Sequence, residues 1–255
     1  MLITEIGYTT PTSVVIRGQD FSTQILGKMD FLDIIMLTSV GRTPTPQEKV
    51  MLNLIMVTAA GHGITPSVIA ARMTLLGAPE ALQGAVAAGI LGGGSVYLGP
   101  IQNIAQTLLD ISAQLTRDAS DDEVRAAAQA HISAMAAQKK PVWGVGSATH
   151  QAGDPRVPTM RELARDNGFY GLHWRVLDAI GELLSEQKGR PFCANGAGAL
   201  AAIVADMGIS PALGRGLMLT GRCASLIAQL LEEQQTPIAQ EMWDLVLKQD
   251  PRCGK

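Results

Sequence analysis

Apolar side chains recur at spacings of three and four along most of the chain, as in Val50, Leu54 and Val57, or Leu226, Leu230 and Leu231. That period lines one face of an α-helix and does not fit the two-residue alternation of a half-buried strand. Helix starts are written beside these runs. Thr45-Pro46, Thr65-Pro66, Ser210-Pro211 and Thr236-Pro237 each set a hydroxyl before a proline. The hydroxyl oxygen accepts from an orphan N–H, and proline at the first helical position has no N–H to leave unsatisfied. Thr45 with Glu48, Ser120 with Glu123 and Thr159 with Glu162 have the spacing of a capping box. The pattern predicts about ten helices. It predicts strand only at Ser13–Arg17 (SVVIR), in an N-terminal hairpin.

Three segments depart from this pattern. Ala81–Leu109 carries no charged residue, but Gly92-Gly93-Gly94 and Pro100 interrupt it. A triple glycine at the centre does not suit a lipid-facing helix, so two buried helices flanking a glycine loop are expected rather than a membrane span. Gly61-His62-Gly63 stands just before the Thr65-Pro66 start. The stretch Lys140–Pro158 (KPVWGVGSATHQAGDPRVP) reads as a long loop, a kind that is usually functional in a helical protein.

Composition refines the class. Of 255 residues, 47% are apolar and 17% charged, which excludes a disordered polyelectrolyte. Aromatics are only 4% while glycine numbers 27, so closely packed helices are expected instead of a β-sandwich. The length allows one large domain or two small ones, with no need of a disulfide or metal staple. A net charge of −3 offers no footprint for nucleic acid. Cys193, Cys223 and Cys253 are scattered and odd in number, and the N-terminus has no basic, then apolar, leader. A reducing, cytoplasmic setting is expected.

Few residues are placed to carry chemistry. His62 lies between glycines ahead of a helix N-terminus, where a ligand can approach closely and an anion is favoured. A surface histidine accounts for it equally well. Arg156 closes the long loop. Arg222 sits within the apolar run LMLTGRCASLIAQLL, where burial is costly unless it meets an anion or pairs with Glu232 or Asp206. His62, His131, His150 and His173 show no metal-ligand spacing, and no metal is expected. The phosphate-loop, nucleophile-elbow and dinucleotide fingerprints are absent.

Taken together, GHGITPSVIAAR, GVGSATHQAGDPRVP, EQKGRPFCANGAGA and GRGLMLTGRCASL resemble the citrate synthase superfamily, within it the short citryl-CoA lyase-like branch. The resemblance covers nearly the whole chain. It implies an all-α fold with a large domain from both chain ends (1–100 and 212–255), a smaller inserted domain (101–211), and a cleft between them. It implies a homodimer or dimer-based assembly that makes or breaks a carbon–carbon bond beside a coenzyme A thioester. Position by position, it gives His62, Arg156 and Arg222 to the oxoacid and its carboxylates. It gives the loop Val142, Trp143, Gly144, Val145 and Gly146 to the adenine of coenzyme A. It places Lys188, Arg190 and Asn195 near the coenzyme's phosphate and pantetheine.

The chain departs from that family's catalytic set. Two histidines and an aspartate of the synthases fall at Leu98, Ser147 and Ala197, so the α-proton base and the enolate's hydrogen-bond partner are missing. Citrate synthesis by the usual route is not expected. Three readings remain. One is a retro-Claisen lyase of the citryl-CoA type with His62 or His150 as base, and Ser147, Asn195 or backbone N–H groups of Gly92–Gly94 holding the enolate. Another is an inactive, coenzyme A-binding accessory paralogue. The third is a different acyl-CoA reaction. The family often supplies a further arginine after the last long helix, but here EEQQTPIAQEM has none. A substrate with one carboxylate fewer than citrate, such as a citramalyl thioester, follows.

Overall fold

The computed structural model describes residues 2–147 and 149–253, so Ala148 of the long loop lies outside the description. The chain begins with a small antiparallel sheet of β1 (Gly7–Thr9), β2 (Val14–Ile16) and β3 (Gln19–Asp20), in that order. The predicted strand is β2, paired on both sides; Tyr8 faces Val15, and Val15 faces Asp20. Arg17 and Gly18 both take positive φ in the two-residue turn between β2 and β3, the geometry a tight hairpin requires. A π-helical turn, Phe21–Ile25, follows.

Eleven α-helices form the rest of the described chain: α1 (Phe31–Val40), α2 (Pro46–Ala60), α3 (Pro66–Gly77), α4 (Leu82–Tyr97), α5 (Pro100–Ser112), α6 (Asp121–Ala137), α7 (Val157–Asp166), α8 (Leu172–Lys188), α9 (Gly196–Asp206), α10 (Pro211–Gln235) and α11 (Ala239–Gln249). Thr45, Thr65 and Ser210 cap α2, α3 and α10 as expected, and the boxes Thr45/Glu48 and Ser120/Glu123 are both formed. Two expected starts are not helix starts. Thr236 ends α10, and the N–H groups of Ile238 and Ala239 are taken instead by the carboxylate of Glu233. Thr159 lies inside α7, which begins two residues earlier because Val157 already bonds back to the Asp154 carbonyl.

The uncharged stretch is bent rather than looped. Gly92 and Gly93 are helical, and only Gly94 leaves helical geometry (φ 48°, ψ −153°), before α4 ends and Pro100 opens α5. Helical Gly93 has a packing reason. A Cβ there would come 2.7 Å from Leu98 Cγ, and Leu98 is 1% exposed.

Two apolar clusters hold the helices. The larger joins α1 and α2 to α5–α9 and the first half of α10, around Met51, Ile55, Leu108, Trp174, Leu177 and Ile203. The smaller joins α3, α4 and the second half of α10 through Val68, Ala71, Leu75, Leu226 and Leu230. Helix α10 takes part in both. Beside the smaller cluster, Arg72 is 1% exposed and donates to Glu232, Glu233 and Gln229, which ties α3 to the end of α10.

Candidate active site

The N-terminus of α9 organises the site. Asn195 caps it, accepting from Gly198 N at 3.0 Å, and its Nδ2 donates to the Gly146 carbonyl at 2.8 Å. Its own N–H donates to the Gly144 carbonyl at 3.0 Å, Gly146 N donates to Cys193 O at 2.8 Å, and Val145 bridges Ala194. The segment Cys193–Asn195 therefore lies along Gly144–Gly146 as a short antiparallel stitch. Gly198 lets the loop come this close, since a Cβ there would overlap the Gly144 backbone.

Two cavities border the stitch and share Gly146 and Ser147 as walls. One, of about 370 Å³, is lined by Trp143, Ser147, His150, Arg156, Asn195 and Ala197 among others. The other, of about 330 Å³, is lined by Val145, Gln151, Arg190, Pro191 and Phe192 as well. Arg190 stacks over the Phe192 ring, 4.4 Å from its centroid. Ser147 Oγ accepts from the N–H groups of Thr149 and His150, so the hydroxyl proton stays available for donation. Val142 packs on the core instead of facing a cavity, and Lys188 is exposed in the last turn of α8, lining neither.

Of the three residues given to the oxoacid, Arg156 lines the first cavity, while His62 and Arg222 line neither but lie close enough for the charges of Arg222 and Arg156 to act on His62. His62 follows α2 and is half-buried, with Nδ1 shielded from solvent and without a partner. Burial holds its pKa below the usual histidine range, and the positive charges of Arg222 and Arg156 push it further down, partly offset by the backbone at Ala59 and Thr58. The imidazole is neutral at pH 7. Arg222 is 4% exposed, and neither Nε nor Nη1 has a partner. Burial lowers its pKa, and the two acids expected as partners are engaged elsewhere: Glu232 with Arg72, Asp206 with His173. A buried, uncommitted guanidinium whose charge reaches a neutral imidazole suits a carboxylate next to a hydroxyl or carbonyl group.

Sequence reasoning passed over Asp154. Its carboxylate grips Arg156 through Nε (2.9 Å) and Nη2 (2.7 Å) and also accepts from Gly196 N (2.9 Å). The Arg156 pairing holds its pKa down at about 2, against the opposing effect of burial. The Asp-Pro-Arg order was the only available signal. A larger cavity, about 780 Å³, involves α6 and α8, but its arginines are already paired: Arg125 with Glu186, Arg161 with Asp178, Arg175 with Asp121. Among the described residues, no three His, Cys, Asp or Glu side chains cluster as metal ligands.

This architecture is that of the citrate synthases, and the chain belongs to their family: the pattern of the citrate synthase C-terminal domain matches residues 14–241. Among solved structures it is similar to citryl-CoA lyase from Hydrogenobacter thermophilus, with 30% identity and a TM-score of 0.80 over 92% of this chain and 88% of that one. It shares the fold of ATP citrate lyase from Methanosaeta concilii, solved with (3S)-citryl-CoA (18% identity, TM-score 0.73, 92% of this chain and 39% of that one). It also shares the fold of citrate synthase from Thermoplasma acidophilum, solved with carboxymethyl coenzyme A and oxaloacetate (14% identity, TM-score 0.62, 81% and 54%). No curated protein sequence matches the chain.

Proposed function

We propose that the protein is a coenzyme A-thioester carbon–carbon lyase of the citryl-CoA lyase type, cleaving a 3-hydroxyacyl-CoA to acetyl-CoA and an oxoacid. The observation that carries this reading is Arg222, buried with Nε and Nη1 unpartnered, and supporting it are His62, which feels the charges of Arg222 and Arg156, and Arg156 in the cavity wall. An accessory protein that only binds coenzyme A has no use for a buried cation whose burial is uncompensated.

In this reading Arg222 and Arg156 hold carboxylate, and neutral His62 takes the proton of the substrate 3-hydroxyl. The oxygen's electron pair becomes the new carbonyl bond of the oxoacid, and the C2–C3 bond breaks. Its electrons pass to the thioester, which leaves as an enolate and is protonated at carbon to acetyl-CoA. Ser147 hydrogen-bonds the enolate oxygen and keeps its proton, and the proton held by the His62 imidazolium passes through solvent and His150, on the same cavity wall as Ser147, to the enolate carbon. Asn195 is not the donor, because its side chain is spent on Gly198 and Gly146. Gly92 and Gly93 are likewise helical and not free to serve. The coenzyme lies along Trp143–Gly146, with Arg190 toward its phosphates and Asn195 fixing the loop.

The chain divides into a large domain (1–100 and 212–255) and a small one (101–211), and works as a cytoplasmic homodimer or dimer-based assembly. Exposed apolar side chains on α4 (Leu91, Val96, Tyr97) and α11 (Trp243, Leu245, Val246) support a partner copy. A second reading, the catalytically inactive accessory paralogue, is favoured by the aliphatic Leu98 and by Ala197 in the cavity wall. Incubation with citryl-CoA and a panel of 3-hydroxyacyl-CoA thioesters separates the two. Cleavage that His62→Ala and Arg156→Ala abolish supports the lyase. Coenzyme A binding without turnover on any thioester supports the accessory protein.

A further inference from the structure

We infer that Asp154 is a positioning residue that fixes the guanidinium of Arg156 at the oxoacid end of the site, and that Gly196 gives the pair room to seat on α9. The inference rests on the proposed function and deepens it.

The Asp154 side chain is 3% exposed and accepts four hydrogen bonds. Oδ1 takes Arg156 N (3.1 Å) and Nε (2.9 Å); Oδ2 takes Arg156 Nη2 (2.7 Å) and Gly196 N (2.9 Å). The Arg156 side chain, by contrast, is 44% exposed. A half-exposed arginine keeps much rotamer freedom, and a ligand that had to freeze it would lose affinity. The bidentate grip removes that freedom beforehand and leaves Nη1 to donate to a ligand. The anchor is itself fixed, because one carboxylate oxygen sits on the first N–H of α9, where a negative charge is favoured. Space is the other half of the device. A Cβ on Gly196 would stand 2.8 Å from Arg156 Nη2 and 3.0 Å from Asp154 Oδ2, so any side chain there displaces the pair. The long loop thus delivers Arg156, and α9 sets where it stops.

The test is calorimetric titration of the full chain with oxaloacetate and pyruvate as oxoacid probes, and with coenzyme A alone as a separate probe. Asp154→Asn keeps the side chain's size but loses its charge, while Gly196→Ala keeps both charges and moves them. Each is expected to weaken oxoacid binding by ~10- to 100-fold, the effect of an ångström-scale misplacement, with coenzyme A affinity unchanged. In an Arg156→Ala background, Asp154→Asn is expected to add nothing. An equal loss with and without Arg156 overturns the inference, as does oxoacid binding at wild-type strength in both single variants. A parallel fall in coenzyme A affinity overturns it too, since that marks a loosened loop. If Asp154→Asn fails to fold, Gly196→Ala and its combination with Arg156→Ala carry the same comparison. A wild-type chain that binds neither oxoacid overturns the functional reading and this role with it. Wild-type binding that both single variants retain overturns this role alone.

Discussion

Gly221 lies directly against the main chain of Met56, so that a Cβ at Gly221 would stand 2.8 Å from the Met56 carbonyl carbon and overlap its oxygen. The contact joins α10 to α2 just where each delivers a site residue, Arg222 next in sequence and His62 six residues on. Gly221→Ala is expected to destabilise the fold by about 1–3 kcal/mol through overpacking and to weaken oxoacid binding as the helices part. Urea unfolding and calorimetry check the two effects together.

Arg222 trades stability for binding. Its uncommitted guanidinium is buried at a cost, which an apolar side chain of similar length would relieve. Arg222→Met is expected to leave stability unchanged or raise it by about 1–3 kcal/mol while abolishing carboxylate binding. A substantial loss of stability on this substitution contradicts the assignment.

His62 should titrate below the usual histidine value of about 6.5. Burial depresses it first, then Arg222 and Arg156. An oxoacid carboxylate neutralises that field, so binding raises the His62 pKa, and Arg222→Met raises it without ligand. Imidazole NMR shifts read both changes. His131, depressed by burial alone, is the internal control that neither moves. Since the unfolded chain binds protons that these folded imidazoles refuse, stability falls as pH drops below about 6.5 and levels off below the folded values.

Asp154 adds a second loss of stability in the same direction at lower pH. Its folded pKa is about 2 against an ordinary 3.8. The stability it contributes, about 2 kcal/mol, is complete above the unfolded value and is lost as pH falls through that interval. Asp154→Asn removes this part of the acid-unfolding slope, which pH-dependent denaturation measures.

The segment from Glu232 to Met242 closes α10 and opens α11 without an arginine. A citramalyl thioester is therefore expected to be cleaved with higher kcat/KM than citryl-CoA. The reverse preference, measured by mass spectrometry of the products, rejects the missing carboxylate.

Local signals were legible where one residue decides the outcome. Thr45, Thr65 and Ser210 start helices because a hydroxyl beside a proline leaves the backbone little alternative. Thr236-Pro237 carries the same signal, but Glu233 reaches forward to cap α11 and the start moves to Ala239. No local pattern reveals that competition. Arg222 was readable from the cost of its burial, while its lack of a partner depended on Arg72 claiming Glu232 and His173 claiming Asp206. Asp154 carries no local signal of its role, because its second partner, Gly196, lies far along the chain.

Leu98 sets what its position can accept. Where the resemblance places a histidine of the synthases, this aliphatic side chain fills the hollow left by Gly93 in a dry part of the fold. Restoring histidine there would strand a polar ring against a surface shaped for hydrocarbon. Leu98→His alone is therefore expected to loosen the joint between α4 and α5 rather than to supply a working acid or base.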